Sequence, residues 1–185
     1  MNGAVLRKFY LRADIAHLYK MMINADQHLF STKITMNSEE GFSNWLLEHI
    51  EYDFHDFFVI ADEESNVPVG YVHNYDFSLQ DGNCKIVVYI DEPYRNTGLG
   101  GYCAIQYMDY LFLKYPLKKI YVTIYAYNRE SLTSNQKAGF LEEGVLKKYR
   151  YYSGKFHDLH ILSMDRKRFY TTLRGVINNK NIKFM

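Results

Sequence analysis

Cysteine is scarce in this chain: Cys84 and Cys103 are the only two among 185 residues. They form no CxxC pair and no histidine cluster accompanies them, so a structural zinc site is not expected; the thiols read as free in a reducing cytoplasm. Excess charge is also lacking. The 22 basic and 21 acidic side chains nearly cancel, whereas a dedicated nucleic-acid binder shows a basic surplus. No apolar run approaches the ~20 residues of a membrane span, and the opening MNGAVLRKFY lacks the apolar centre of a signal peptide. There is no internal repeat and no linker. What remains is globular: 48% hydrophobic and 23% charged residues, in a length that supports one core. Tyrosine alone is abundant, at 18 residues; most suit strands and surfaces, and some would suit an amphipathic pocket.

The residue pattern gives a mixed α/β order. GAVLRKFYLR reads as a first strand, followed by a helix with Asp14 as N-cap and Ile15, Leu18, Tyr19 and Met22 at helical spacing. A second helix begins at Ser38, with Glu39 and Glu40 in its first turn and Phe42, Trp45, Leu46 and His49 as its core stripe. FFVIA, VPVGYVHNYDFSL and CKIVVYI form an antiparallel meander, with Asp81-Gly82 as the tight turn before the last run. A third helix runs from the glycines at 98–101 to Pro116. KKIYVTIYAYN is a strand able to run parallel to CKIVVYI, because a helix separates the two. Asn128 caps a fourth helix that ends at Gly139. A closing hairpin turns at Ser153-Gly154. Residues 166–185 carry only positive charges and read as a frayed, solvated extension of a single domain spanning 1–165.

YRNTGLGGYC, between a strand and a helix, is the stretch with chemistry in it. Unpaired N–H groups at a helix start, approached closely through glycines, make an anion site, and Arg95 adds a mobile positive charge. A phosphorylated ligand follows. No lysine succeeds Gly100 or Gly101, which excludes a P-loop. The third glycine comes too early, and after an antiparallel meander, for a dinucleotide fingerprint. The observed spacing is RxxGxG.

That loop, continued through KIVVYIDEPYRNTGLGG, NRESLTSNQKAGF and EEGVLKKYRYYSGKFHD, resembles the GNAT superfamily of N-acetyltransferases from about Val5 to Asp165. Asn128, Ser131, Lys137-Ala138-Gly139-Phe140 and the hairpin ending Gly154-Lys155-Phe156-His157-Asp158 resemble its RimJ/RimL-type branch. The resemblance implies an acyl-CoA N-acyltransferase fold: a mixed sheet of about seven strands, splayed between the fourth and fifth and flanked by helices. It implies acetyl-CoA as cosubstrate, without a metal. The diphosphate would lie on the N–H groups of Arg95, Asn96, Thr97, Gly98, Leu99, Gly100 and Gly101. The pantetheine arm would pair with main-chain groups near Val88, Tyr89 and Ile90, and Asn128 either contacts the cosubstrate or only caps its helix. Ser131 would be the acid, unless it is merely a first-turn residue. The tyrosine that many members use as acid is replaced by Asn135.

A glutamate base found in some RimJ/RimL-type enzymes is replaced by Arg150. The base is then His73, Glu92 or a tyrosine acting through water, or the amine arrives neutral; Arg150 could instead bind an acidic group on the acceptor. The implied activity is acetyl transfer to a primary amine: a protein N-terminus, polyamine, amino sugar or antibiotic. A CoA-binding sensor that has lost its chemistry is the alternative. The acidic second helix would suit a polycation but reads first as a solvated face. Nucleic acid and membrane are not expected partners, and family habit makes a homodimer the assembly to test for.

Overall fold

The computed structural model describes residues 3–24, 38–52 and 56–179. The chain order is β1 (Ala4–Lys8), α1 (Leu11–Asn24), α2 (Glu39–Tyr52), β2 (Phe57–Asp62), β3 (Pro68–Ser78) and β4 (Asn83–Ile90). A 3-10 turn, Glu92–Tyr94, leads into α3 (Leu99–Lys114), β5 (Lys119–Tyr125), α4 (Arg129–Lys137), β6 (Leu141–Tyr152), β7 (Lys155–Asp165) and α5 (Arg166–Asn179). The seven strands form one sheet in the order β1-β2-β3-β4-β5-β7-β6. Every neighbouring pair is antiparallel except β4 and β5, which run parallel with α3 as the crossover. This is the mixed α/β architecture expected from the sequence.

Side-chain alternation divides the core between the two faces of the sheet. Cys84, Ile86, Ile90, Ile120, Val122 and Ile124 point to one face, where α3 and α5 supply Tyr107, Leu111, Phe112, Phe169 and Leu173. Val59, Ala61, Tyr71 and Tyr89 point to the other, covered by Leu18, Met21 and Met22 of α1 and by Phe42 and Leu46 of α2. Of the expected α2 stripe, Phe42 and Leu46 are buried while Trp45 and His49 are half-buried, and Ser38 caps that helix by accepting the Gly41 N–H at 3.0 Å.

Asp14 is not an N-cap. It sits one turn inside α1, accepts the Tyr10 N–H at 2.7 Å, and is buried against the Arg7 guanidinium, whose Nη1 and Nη2 lie 2.8 and 2.6 Å from its oxygens. An aspartate that looks like a helix start from its neighbours serves instead as the partner of a buried strand cation. The turn before β4 also differs from expectation. It spans residues 79–82, and only Gly82 has positive φ, because Ser78 Oγ bonds both the Asp81 carboxylate and the Asp81 N–H.

The segment read as a frayed tail forms α5 over 166–179. Phe169 is fully buried, its ring 5.2 Å from Phe112, and Arg166 donates to the carbonyls of Leu117 and Tyr115. The positive charges concealed an apolar pair four residues apart, Phe169 and Leu173, on one helix face. Residues 180–185 lie outside the described residues. Phe169→Ala should lower unfolding free energy by about 3–5 kcal/mol; a denaturant midpoint equal to that of the parent would show that α5 is not part of the core.

Candidate functional site

The parallel β4–β5 pairing lasts for three register pairs, Asn83↔Lys119, Cys84↔Ile120 and Lys85↔Tyr121, and then ends. Beyond it each strand is held only from its outer side. β4 stays on β3 as far as Ile90↔Gly70, and β5 stays on β7 as far as Tyr125↔Leu159. The ladder fixes which main-chain groups face the gap. Asp91 donates to the Val69 carbonyl, and Ala126 donates to that of Asp158. Antiparallel alternation then turns the main chain of Val88 and Ile90 on one bank, and of Thr123 and Tyr125 on the other, into the gap. Of the three strand residues expected to contact a ligand, Val88 therefore presents its main-chain groups there and Ile90 its N–H, the Ile90 carbonyl being taken by Arg95 Nε. Tyr89 directs its main chain to β3.

In the loop at the end of β4, two of the main-chain donors are already used. The Arg95 N–H bonds the Glu92 carbonyl at 3.1 Å, and the Leu99 N–H reaches Thr97 Oγ1 at 3.3 Å. The N–H groups of Asn96, Thr97, Gly98, Gly100 and Gly101 meet no protein acceptor among the described residues. Asn96 and Gly98 both have positive φ, 60° and 82°, which curls successive amides into a concave nest at the α3 N-terminus. A Cβ at Gly98 or Gly101 would meet nothing within 4 Å, so the nest opens to space, whereas one at Gly100 would lie 3.2 Å from Ile90.

Arg95 is not the mobile charge the sequence suggested. Its Nε donates to the Ile90 carbonyl at 2.9 Å, and its guanidinium lies over the Tyr89 ring at 5.5 Å. It fastens the loop to the end of β4.

Past the end of β5, Asn128 accepts the Ser131 N–H at 3.2 Å and so caps α4. Helix α4 closes with paired bonds from Gly139 to Gln136 and from Phe140 to Asn135. Asn135 Nδ2 donates to the Ser131 carbonyl at 2.8 Å and lies 3.4 Å from its hydroxyl. The hydroxyl's own hydrogen has no acceptor among the described residues. Glu92 is exposed in the 3-10 turn.

His73 lies on β3 opposite Val87, in a stack with Phe57 and Tyr71 beneath α2. Burial pushes its pKa down from 6.5 to about 3, with the nearby His49 contributing further. A ring so reluctant to take a proton is a poor base at neutral pH. Burial likewise lifts both cysteine thiols to about 12, which leaves them unreactive. No group of three or more metal-binding side chains occurs among the described residues.

Sequence reasoning foresaw an amphipathic pocket only in general terms, and the aromatic cluster beside the gap, called the groove below, escaped it. Continuing the β4–β5 register places Tyr89 opposite Tyr125 on the same face. Tyr127 stacks on Tyr125 at 5.3 Å, while Tyr152 and His157 lie 4.9 and 4.8 Å from Tyr127. Arg150 reaches over Tyr125, 4.9 Å from the ring, and donates from Nη1 to its hydroxyl at 3.1 Å. The high tyrosine count was the available signal, but the groove joins β5 to a hairpin 25 residues later.

Residues 4–141 match the model of a family described as an acetyltransferase (GNAT) domain. The SPbeta prophage-derived N-acetyltransferase YokL of Bacillus subtilis (strain 168) is 29% identical over 132 residues, 71% of this chain and 73% of that protein. Spermidine N-acetyltransferase from Vibrio cholerae, solved with CoA and spermine, superimposes with a TM-score of 0.80 at 18% identity, covering 90% of this chain and 97% of its own. The ribosomal L7/L12 α-N-protein acetyltransferase RimL, solved with coenzyme A, gives 0.77 at 15% identity, covering 91% and 97%.

Because His73 binds no proton in the fold until about pH 3, its unfolded ring gains one first as pH falls below 6.5. Its stabilising contribution is therefore complete above that value and is lost on acidification, at up to about 1.4 kcal/mol per pH unit. Unfolding titrations from pH 6.5 to 5 should show a shallower loss in His73→Phe than in the parent. Equal slopes would mean that the ring takes up protons in the native state.

Proposed function

The chain belongs to the GNAT acetyltransferase family, and from that premise we propose that it transfers an acetyl group from acetyl-CoA to a primary amine. The observation carrying this reading is the open amide nest at residues 96–101, placed at the mouth of the gap between β4 and β5. The residues fit the cosubstrate: a diphosphate needs convergent N–H donors, and a diamide arm needs main-chain partners in a dry cleft. Asn96, Thr97, Gly98, Gly100 and Gly101 would hold the diphosphate, with Arg95 fixing the loop and Leu99 anchoring it in the core. The main-chain groups of Val88 and Thr123, with the N–H groups of Ile90 and Tyr125, would hold the arm, since the Ile90 and Tyr125 carbonyls are taken by Arg95 and Asn128. Acetyl-CoA, when bound, would supply the acetyl group as an activated thioester. A Val88 N–H directed into the gap is the oxyanion donor in this reading.

Ser131 holds the proton that the departing sulfur requires, and Asn135 orients its hydroxyl. Asn128 fixes the first turn of α4 beneath it. His73 is assigned to packing beneath α2, and the attacking amine loses its proton to water. The RimJ/RimL-type branch belongs to the same reading, supported by Asn128, Ser131 and the closing hairpin. So do a cytoplasmic location, supported by the two free thiols, and a homodimer, supported by the exposed Leu146 and Tyr151 on edge strand β6. The alternative of a CoA-binding sensor is favoured by Asn135 at the tyrosine position and by the weak basicity of His73. Thiol release from acetyl-CoA across an amine panel separates the two, because a sensor binds CoA tightly and releases no thiol.

Gly101 occupies the third position of α3 in open space, where an added aspartate suits the helix dipole but opposes a bound diphosphate. Gly101→Asp should preserve the melting temperature and weaken CoA binding by at least about tenfold, read by calorimetry; unaltered affinity would remove the nest from the cosubstrate site. Ser131→Ala should lower kcat by roughly 100-fold while leaving CoA affinity intact, and undiminished turnover would exclude Ser131 as the acid.

A further inference from the structure

The two banks of the β4–β5 gap carry matching pairs, a tyrosine with an arginine over its ring. On β4 they are Tyr89 and Arg95, and on β5 they are Tyr125 and Arg150. Their donors are spent differently. Arg95 commits its Nε to the Ile90 carbonyl. Arg150 gives one N–H to the Tyr125 hydroxyl, and its other donors meet no protein acceptor among the described residues. No carboxylate lies within ion-pair distance of it there, since the acids of its own hairpin are taken. Glu142 is on His160, Glu143 is on Lys119 and Ser163, and Asp158 is on Lys147 and the Lys148 N–H. A half-buried guanidinium with unspent planar donors, resting on an aromatic floor, is a receptor for a carboxylate or phosphate.

The position of Arg150 determines whose anion it meets. One face of the gap is filled by α3 and α5, so an acceptor has to approach from the face bearing Tyr125. Among the described residues on that face, Tyr149 is 57% exposed, and Tyr121, Thr123 and Tyr127 are half-buried. An amine reaching the end of β4 by this route passes Arg150. A polycation would meet a like charge there.

We propose that Arg150 is a specificity-determining residue whose guanidinium binds a compact anion, carboxylate or phosphate, carried by the amine acceptor. The inference rests on the acetyltransferase reading for the amine and on the Arg150 geometry for the anion. Its test compares kcat/KM for matched pairs: amino acids against their amides, phosphoethanolamine against ethanolamine, and spermidine as the cationic extreme. The protein should favour the anionic member of a pair by about tenfold or more, chiefly through KM, and the favoured pair identifies carboxylate or phosphate. Arg150→Gln should erase the preference and Arg150→Lys should retain part of it, with melting temperature and CoA affinity unchanged in both.

Equal or better use of neutral amines or spermidine by the parent would overturn the proposal, as would a preference that survives Arg150→Gln. Should no amine be acetylated, the acetyltransferase reading fails separately. Calorimetry of the same amines against CoA-loaded protein then decides the anion site. Binding of the anionic members that disappears in Arg150→Gln sustains it, and absence of such binding overturns it.

Discussion

The separation of β4 from β5 after three paired residues is the constraint on which the rest of the molecule depends. Two parallel strands in register would ordinarily continue to satisfy each other. Here each is drawn away by its outer neighbour, β4 by β3 and β5 by β7, so the sheet opens without either strand losing its regular geometry. Main-chain donors and acceptors are thereby left pointing into a cleft, where a buried polar group without a partner is costly. A ligand carrying amides is the natural complement. The glycine loop stands at the end of β4, so the same divergence places an anion nest beside that cleft.

The opening is usable because the two faces of the sheet are treated differently. On one face the crossover helix and the C-terminal helix pack a continuous apolar core that seals the gap from below. On the other, α1 and α2 cover β1 through β4, while among the described residues the end of β5 and the closing hairpin carry tyrosines. Tyrosine suits this division, having a ring that packs and a hydroxyl that stays wet or finds a partner. Tyr107, Tyr110 and Tyr115 illustrate the packed use. Their hydroxyls converge on Asp56, at its carbonyl and its carboxylate, and pin the start of β2 to α3.

Arg95 and Arg150 show how one residue type acquires opposite roles from its surroundings. Both lie over a tyrosine at the edge of the gap. Arg95 turns back onto its own strand and becomes part of the loop's scaffold. Arg150 comes from a distant hairpin whose carboxylates are already engaged, and it retains donors for something else. Ser131 and Asn135 are similarly coupled. Asn135 uses its amide to hold the serine one turn earlier.

Local chemistry made much of this legible in the amino-acid order. Strand and helix succession, the Ser38 and Asn128 caps, the Gly139 helix end, the turn at Ser153-Gly154 and the glycine spacing at 98–101 are all decided by residues within a turn of one another. The likeness of the motifs to a known superfamily extended that reading to the splayed sheet. Asp14, Arg95, the C-terminal helix and Arg150 were decided elsewhere. Each takes its role from a partner brought in by folding: Arg7 on the neighbouring strand, the carbonyl at the end of β4, Phe112 of α3, and the ring of Tyr125. A side chain's neighbours in sequence set its backbone, but its hydrogen bonds and burial belong to the contacts that only the closed sheet creates.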